Sequence, residues 1–564
     1  MPTSFKALAE LCEQLTSTKK RLMMVQYAAD LLLSLDMNEI EPAVSMILGR
    51  AFPKWSQQTL DVSWTTLSGV IKKSTRGDWN ALSRAFSQTG DIGDATKALF
   101  ETGRTKKQSM IFEKSLTILE VRRSLQAIAE SRGYGSREKK ERLVTSLFSA
   151  ASPLEAKYLV KIFVSEMRTG FHEGLMEQAV AEAFDVPLKS VQRASMVQGD
   201  VGEVAAIVKA HGKQGLVLVN FKVFRPVQLM LAQMADGVEQ ALQEHEGKTA
   251  FEFKYDGARV QIHKLGNEIM IFSRRLTEVT SSIPEIADLA KKNVDAGEAI
   301  FEGEVIAVDH SGFPIPFQHL MRRFRRIHSI EEIAGKIPLK LFLFDLLYAD
   351  GESMIDLPYM ERREILARKA GGISLTRQIV TDNASLGKAF LKEAMDGGNE
   401  GLMAKRLDSP YTPGIRGKRW LKIKPVLEPL DLVIVAAEYG YGRRHGWLSD
   451  YYLAARDVDS GEFLGIGKTF KGLTDAEIVE MTQRLKQIAV SEDSQKVTVV
   501  PKIVVEVLYN EVQKSPTYKS GVALRFARIG RIRNDKTPEE ADTIQRVREI
   551  YEKQFLKKGR YKIN

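Results

Sequence analysis

One lysine in this sequence stands where covalent chemistry on a phosphate could occur. Lys254 lies in the segment Glu252-Phe253-Lys254-Tyr255-Asp256-Gly257-Ala258-Arg259, in which a predicted strand ends at a turn that Gly257 permits. An unprotonated lysine amine can attack phosphorus and form a nucleotidyl-lysine, and adjacent charges can orient the phosphate. Because the unperturbed pKa of lysine is about 10.4, this reaction requires cationic neighbours, a metal ion or burial to lower that pKa. A solvated lysine before a hairpin turn is the alternative interpretation of this segment.

Two later segments place like charges on one face of a predicted strand. In Phe301-Glu302-Gly303-Glu304, alternation puts both carboxylates on the same side, which is costly unless they meet a cation or a metal ion. In Trp420-Leu421-Lys422-Ile423-Lys424, both amines share a face, and such a pair favours a polyanion. Taken alone, Glu-Gly-Glu is more typical of an exposed turn.

Composition narrows the class of protein. A chain of 564 residues predicts two to four domains, and a net charge of +10 with a pI of about 9.2 favours a polyanionic partner, with nucleic acid foremost. A basic protein without such a partner is the alternative. One cysteine, Cys12, argues against disulfides and multi-cysteine zinc sites. The sequence lacks a long apolar stretch and a signal-like start, so we expect a cytoplasmic protein that does not associate with membranes.

The elements that must position these residues fall into three predicted domains. Residues 1–220 repeat apolar residues at helical spacing, and residues 221–427 alternate short strands with helices in an α+β pattern with antiparallel sheets. Residues 428–564 predict about five strands, one of them over 503–512, and a basic helix that opens at Pro538 and closes at Lys557 and Lys558. The expected fold class is multidomain: an all-α domain, an α+β antiparallel domain and a β-barrel of the OB-fold type.

The charged segments also occur in an order that resembles a known family. Four further segments belong to the same order: Ser273-Arg274-Arg275, Phe342-Leu343-Phe344-Asp345, Asn399-Glu400-Gly401-Leu402-Met403 and the segment from Arg525 to Lys536. Together, the segments resemble the ATP-dependent DNA ligases of the archaeal and eukaryotic replicative type. These belong to the covalent nucleotidyltransferase superfamily. The resemblance extends over about residues 250–536, and the helical region before it resembles the family's DNA-binding domain.

The resemblance implies a role for each matching residue. Lys254 would be the lysine that becomes adenylated, and Glu304 and Glu400 would hold the divalent metal ion, Mg²⁺ or Mn²⁺. The implied ATP and AMP contacts are Glu252 at the adenine, Arg259, Arg274, Glu304, the stacking ring of Phe344, Arg416, Lys422, Lys424, Arg533 and Lys536. Ala527 and Gly530 depart from the residues usual in the family, and these departures affect packing rather than charge.

The implied function is ATP-dependent sealing of nicks in double-stranded DNA, in replication, repair and recombination. The resemblance further implies a C-terminal domain that swings about residues 425–429, and a monomer is the default expectation. The segment Gln108–Phe112 resembles the segment by which related ligases bind a sliding clamp, although an ordinary surface loop is an equal alternative. An RNA ligase or an mRNA-capping enzyme is disfavoured by the long helical region. A non-catalytic DNA-binding relative is disfavoured by the intact charged residues, and NAD⁺ use by the single cysteine.

Overall fold

The amino-terminal part of the chain is helical. The computed structural model describes residues 2–75, 79–104, 115–324, 334–414, 416–424, 427–493 and 495–555. The helices described in this part are α1 (Phe5–Ser17), α2 (Arg21–Ser34), α3 (Met37–Ile47), α4 (Trp64–Thr75), α5 (Trp79–Thr89), α6 (Ile92–Arg104), α7 (Ile118–Glu130), α8 (Ser136–Ala150), α9 (Pro153–Phe163), α10 (Glu173–Ala183), α11 (Leu188–Gln198) and α12 (Val201–Val217).

Local sequence signals explain where several of these helices begin. Ser4 caps α1 by accepting a hydrogen bond from the backbone of Ala7, and Asp36 forms a reciprocal capping box with Glu39 at α3. Ser152 precedes a proline and caps α9 in the same way. The apolar faces of the helices meet in one continuous core.

The central part contains two five-stranded sheets. Its strands are β1 (Leu231–Ala235), β2 (Thr249–Lys254), β3 (Ala258–Leu265), β4 (Glu268–Ser273), β5 (Glu298–Ala307), β6 (Leu339–Ala349), β7 (Glu352–Ser353), β8 (Gln378–Thr381), β9 (Gly401–Arg406) and β10 (Arg416–Ile423). Its helices include α13 (Val238–Glu244), α14 (Pro284–Asn293), α15 (Phe317–Phe324), α16 (Tyr359–Lys369) and α17 (Ala384–Asp396). One sheet has the order β1-β10-β9-β2-β8 and the other β4-β3-β5-β6-β7. Their pairs are antiparallel except β1 with β10, which is parallel.

The carboxy-terminal part has more strands than the sequence predicted. The described residues form β11 (Leu430–Tyr439), β12 (Leu448–Arg456), β13 (Phe463–Thr469), β14 (Ala489–Glu492), β15 (Lys496–Val499), β16 (Val504–Leu508), β17 (Glu511–Lys514), β18 (Val522–Arg525) and β19 (Arg528–Ile532), with α18 (Asp475–Gln487) and α19 (Ile544–Phe555). Seven strands form one sheet, and β17 and β18 form a separate hairpin. Strands of four or five residues are too short for alternation to reveal them in sequence.

Two details of this part differ from the sequence-based expectation. The single strand predicted over residues 503–512 is interrupted, so that β16 and β17 join different sheets. Pro538 opens a 3₁₀ turn over Pro538–Glu540 rather than the final helix, because the chain extends at Ala541 before α19 begins.

Some predicted features lie outside the described residues. These are the Gln108–Phe112 segment, the hinge residues 425 and 426, and the closing lysines at 557 and 558. Within the described ranges, no helix has the length and apolar character needed to cross a membrane.

Candidate active site

Lys254 ends strand β2 beside a glutamate from the start of β9. The register pairs Lys254 with Gly401, and the backbone N–H of Glu400 donates to the Lys254 carbonyl oxygen at 2.8 Å. The Lys254 Nζ atom lies 2.6 Å from Oε2 of Glu400, and Lys424 Nζ lies 2.6 Å from the same oxygen. Gly401 has φ +138°, and a Cβ there would lie 2.1 Å from the Ile423 carbonyl oxygen. Position 401 therefore requires glycine, since any side chain there would collide with the end of β10.

Burial and neighbouring charges shift the pKa values of this cluster in opposite directions. Burial of the amine alone would lower the pKa of Lys254, but the carboxylates of Glu400 and Glu304 outweigh it and raise the pKa. Burial would likewise raise the pKa of Glu400, but Lys254 and Lys424 lower it to about 2. Burial does dominate at Glu304, whose pKa rises to about 7 despite the neighbouring Lys254 and Arg259. In this state the Lys254 amine is protonated, so it must lose a proton before it can attack phosphorus.

Several cations converge on the same region. Lys422 lies on β10, and its pKa is lowered first by burial and then by Lys424, Arg416, Lys254 and Arg274. These groups come from the ends of β2 and β4 and from β10 and the residue after it. Such a concentration of positive charge favours a polyphosphate ligand.

Glu252, two residues before Lys254 on β2, has buried partners. This residue is 1% exposed; its Oε1 accepts hydrogen bonds from the Tyr359 hydroxyl and, at 3.2 Å, from Gln378 Nε2. Its Oε2 lies 2.8 Å from Lys405 Nζ. The lysine is itself buried, and the ring of Phe344 lies close to it. Lys405 therefore links Glu252 of one sheet to Phe344 of the other.

Arg259 forms a network beneath the Phe344 ring. Its guanidinium donates to Glu302 at 2.6 Å and to the Met230 carbonyl oxygen at 2.8 Å, and its centre lies 5.3 Å from the Phe344 centroid. The Tyr411 hydroxyl also donates to Glu302, at 2.8 Å. Glu302 and Glu304 both interact with Arg259, in keeping with the shared face that alternation predicts; Glu302 forms the ion pair with it, whereas burial raises the pKa of Glu304 against the opposing charges of Lys254 and Arg259.

Sequence reasoning missed three side chains of this site: Tyr359, Lys405 and Tyr411. The signal for Lys405 was available, because alternation along Gly401–Arg406 puts Met403 and Lys405 on one face. The two tyrosines carry no local signal, since each reaches its glutamate across more than a hundred residues of sequence.

The structure divides the predicted site residues into two groups. The first group lies in the central sheets and contains Lys254, Glu304, Glu400, Lys422 and their neighbours. Arg533 and Lys536 instead bind Asp431 at the start of β11, at 3.0 and 2.6 Å, and Arg533 also binds Asp535 at 2.7 Å. Among the contacts of the described residues, none joins this pair to Lys254 or Glu400.

Glu304 and Glu400 are the residues present that fit a divalent cation. The two carboxylates are close enough to interact electrostatically, because the charge of Glu400 contributes to the raised pKa of Glu304. No group of three or more metal-binding side chains occurs within the part of the chain that the structure describes. Two carboxylates suit an ion such as Mg²⁺, which takes one or two from the protein and the rest of its ligands from phosphates and water.

Two mostly antiparallel sheets that bring together a half-buried lysine, carboxylates and converging cations form the arrangement expected of a nucleotidyltransferase. The family described as "ATP dependent DNA ligase domain" matches residues 229–424. "DNA ligase N terminus" matches residues 4–181, and "ATP dependent DNA ligase C terminal region" matches residues 444–536. The chain belongs to the ATP-dependent DNA ligases.

Curated relatives match over almost their whole length. "DNA ligase 1" of Korarchaeum cryptofilum is 48% identical, with 98% of this chain and 99% of that protein covered. "DNA ligase" of Thermococcus fumicolans is 44% identical, with 97% and 98% covered. A solved chain named "Pmar-Lig_PreS3" shares the fold at a TM-score of 0.58 and 18% identity, covering 93% of this chain and 99% of that one. Family membership implies ATP and a divalent metal ion as cofactors and nicked DNA as substrate.

Proposed function

We propose that this DNA ligase seals nicks through a covalent Lys254–AMP intermediate. The observation that carries the proposal is the placement of Lys254 at the end of β2, against Glu400 and among converging cations. The Lys254 amine loses a proton and attacks the α-phosphorus of ATP, so that a P–N bond forms and diphosphate leaves. An oxygen of the DNA 5′-phosphate then attacks the AMP phosphorus and releases the lysine. Finally the 3′-hydroxyl attacks the 5′-phosphorus, the phosphodiester forms and AMP leaves.

Glu304 and Glu400 are the proposed ligands of Mg²⁺ or Mn²⁺. The bound cation would neutralise phosphate oxygens as charge develops on them. A cation bound by Glu400 would compete with the two lysines for its carboxylate. That competition would weaken the Glu400–Lys254 ion pair and make deprotonation of the amine easier.

The remaining central residues are proposed to bind the nucleotide. Glu252 would accept a hydrogen bond from the adenine amino group, and Phe344 would stack on the base. Arg259 would approach the ribose and phosphate. The residues proposed for the phosphates are Arg274, Arg416, Lys422 and Lys424, supported by their mutual proximity.

Arg533 and Lys536 are proposed to orient the β- and γ-phosphates during lysine adenylation only. Their contacts with Asp431 keep them in the carboxy-terminal sheet, so the proposal requires that sheet to move towards Lys254 and away again. We propose that residues 428–564 form an OB-fold domain that swings about residues 425–429. The corresponding boundaries would be 1–220 for a DNA-binding domain and 221–427 for the adenylation domain.

Partners beyond DNA are part of the same proposal. Contacts with DNA would be mainly to phosphates, which the net charge of +10 supports, so binding should weaken with salt. The enzyme would act inside the cell as a monomer. Gln108–Phe112 would bind a sliding clamp, and replacing Gln108 and Phe112 together should abolish that binding while nick sealing without the clamp persists. Clamp binding that survives the double replacement would overturn this assignment.

The test is incubation with α-labelled ATP and Mg²⁺, followed by a denaturing gel and a nick-sealing assay. Wild type should retain label and seal nicks, and Lys254→Ala should do neither. Lys264→Met is the matched control, because this lysine is buried on the next strand in sequence, β3, and its amine bonds the Ala296 backbone carbonyl oxygen at 2.6 Å rather than any charged group among the described residues. Label retained by Lys254→Ala would refute the covalent role.

A further inference from the structure

Lys405 is a buried lysine that contacts both Glu252 and Phe344, the two residues proposed to contact adenine. It lies on β9 opposite Ala250 and Trp420 and is 1% exposed. Its Nζ atom lies 2.8 Å from Oε2 of Glu252 and donates to the Phe344 backbone carbonyl oxygen at 3.2 Å. Glu252 belongs to the same sheet as β9, whereas Phe344 belongs to the other sheet. One ammonium group therefore connects the two sheets.

The surroundings of this ammonium group are otherwise largely aromatic. Nζ lies 4.8, 4.7 and 4.5 Å from the ring centroids of Phe344, Tyr359 and Trp420. Burial lowers the pKa of Lys405, and Glu252 opposes that effect. A buried ion pair is often no more stabilising than apolar side chains of similar volume. A gain in stability therefore does not explain why a cation lies at this position. Orientation of the Glu252 carboxylate does explain it.

The contacts of the buried Glu252 carboxylate occupy its oxygens unequally, and Arg363 Nη1 also lies 3.7 Å from Oε1. A carboxylate offers about four lone-pair positions. Tyr359 and Gln378 take two on Oε1, and Lys405 takes one on Oε2. The remaining position on Oε2 can accept a hydrogen bond from the amino group at position 6 of adenine. Guanine presents an acceptor oxygen there, which a carboxylate repels.

We propose that Lys405 is a positioning residue for base recognition: it fixes the Glu252 carboxylate relative to Phe344, so that these two residues together select adenine. The inference rests on the adenine contacts proposed above for these two residues. Lys405 acts through Glu252 and takes no part in the transfer of AMP.

The first test compares nucleotides in the lysine adenylation step of the full-length enzyme. The probes are ATP and purine riboside triphosphate, which lacks the 6-amino group. In Lys405→Met we expect KM for ATP to rise about tenfold or more, while kcat changes less than about threefold. The preference for ATP over purine riboside triphosphate should fall by about the same factor as KM rises. If the methionine variant does not fold, Lys405→Gln replaces it, since it keeps a donor but lacks the charge.

Two controls separate positioning from general loss of structure. Lys264→Met removes another buried lysine from the central sheets and should keep the wild-type preference between the two nucleotides. Lys405→Arg keeps the charge and should retain more of the preference than Lys405→Met. In a Glu252→Gln background, Lys405→Met should cause little further loss of preference, because both replacements act on one interaction.

The outcomes distinguish this inference from the proposed function. Absence of label on wild-type Lys254 would overturn the proposed function itself. A folded Lys405→Met enzyme that is labelled with unchanged KM and unchanged nucleotide preference would overturn the inference alone. A loss confined to kcat, or losses additive with those of Glu252→Gln, would also overturn it.

Discussion

The Nζ atom of Lys254 lies 2.6 Å from Oε2 of Glu400, so that this ion pair joins the proposed nucleophile to a proposed metal ligand. The same oxygen also binds Lys424. The Glu400 carboxylate therefore balances part of the positive charge of this site, and ATP with its cation must replace these contacts. Phosphate oxygens can take over the two ammonium groups, and the cation can take over the carboxylate.

We expect Glu400→Gln to slow lysine adenylation by about 10²-fold or more, because a charged group that stabilises the transition state is removed. Rapid-quench labelling with α-labelled ATP measures this rate. Glu393→Gln is the matched control, since Glu393 pairs with Arg377 on the surface and should leave the rate unchanged. A higher metal concentration should partly restore labelling in Glu400→Gln. An unchanged adenylation rate would contradict the proposed role.

Asp431 should matter for only one step of the reaction. Asp431→Asn removes the charge that holds Arg533 and Lys536, so these cations lose their orientation. We expect adenylation to slow about tenfold, consistent with about 1.4 kcal/mol, while sealing of a pre-adenylated nick stays near the wild-type rate. Asp535→Asn should have a smaller effect, because Asp535 is largely exposed. Equal loss in both steps, or faster adenylation, would contradict a positioning role for Asp431.

Gln57 joins the helical region to the turn that follows Arg274. Its side-chain amide donates to the Leu276 carbonyl oxygen and accepts from the backbone N–H of Glu278, both at 2.9 Å. In Gln57→Ala, hydrogen exchange at the Glu278 amide should accelerate, by about tenfold if the lost bonds contribute about 1.4 kcal/mol. Peptides from β3 serve as the internal control and should exchange as in wild type. Unchanged exchange at Glu278 would show that this contact is not maintained in solution.

The buried pair of Asp91 and Lys161 predicts a pH-dependent stability of the helical region. Burial alone would raise the pKa of Asp91, but its bond to Lys161 at 2.8 Å and the neighbouring backbone donor lower it. Asp91→Asn keeps the capping ability at α6 and removes only the charge. At pH 7 we expect a loss of about 3 kcal/mol in the free energy of unfolding.

The direction of that pH dependence follows from the lowered pKa. The Asp91 charge contributes fully above its unfolded pKa of about 3.9, and its contribution is lost as the pH falls through the lower folded value. The difference in the free energy of unfolding between wild type and Asp91→Asn should therefore become smaller below about pH 4. Denaturant unfolding between pH 3 and pH 7 measures it. A difference that stays constant down to pH 3 would contradict this account.

Local patterns in the sequence determined much of the central fold. Alternation and turn residues predicted β2, the β3–β4 hairpin and β9 nearly to the residue, because a period of two and a glycine turn are properties of short segments. They also placed Glu302 with Glu304, and Lys422 with Lys424, on common faces. The family resemblance, which the comparisons confirm, rests on those same short segments.

The tertiary structure alone decided which of these charges meet. Register places Gly401 opposite Lys254 and so brings in Glu400, and the contact between two sheets connects Lys405 with Phe344. The bond of Arg533 to Asp431 spans 102 residues. Pairing and contact between sheets depend on the packing of segments far apart in the chain, and no local period encodes them. The sequence by itself therefore determined which residues could do chemistry on a phosphate, and folding determined their partners.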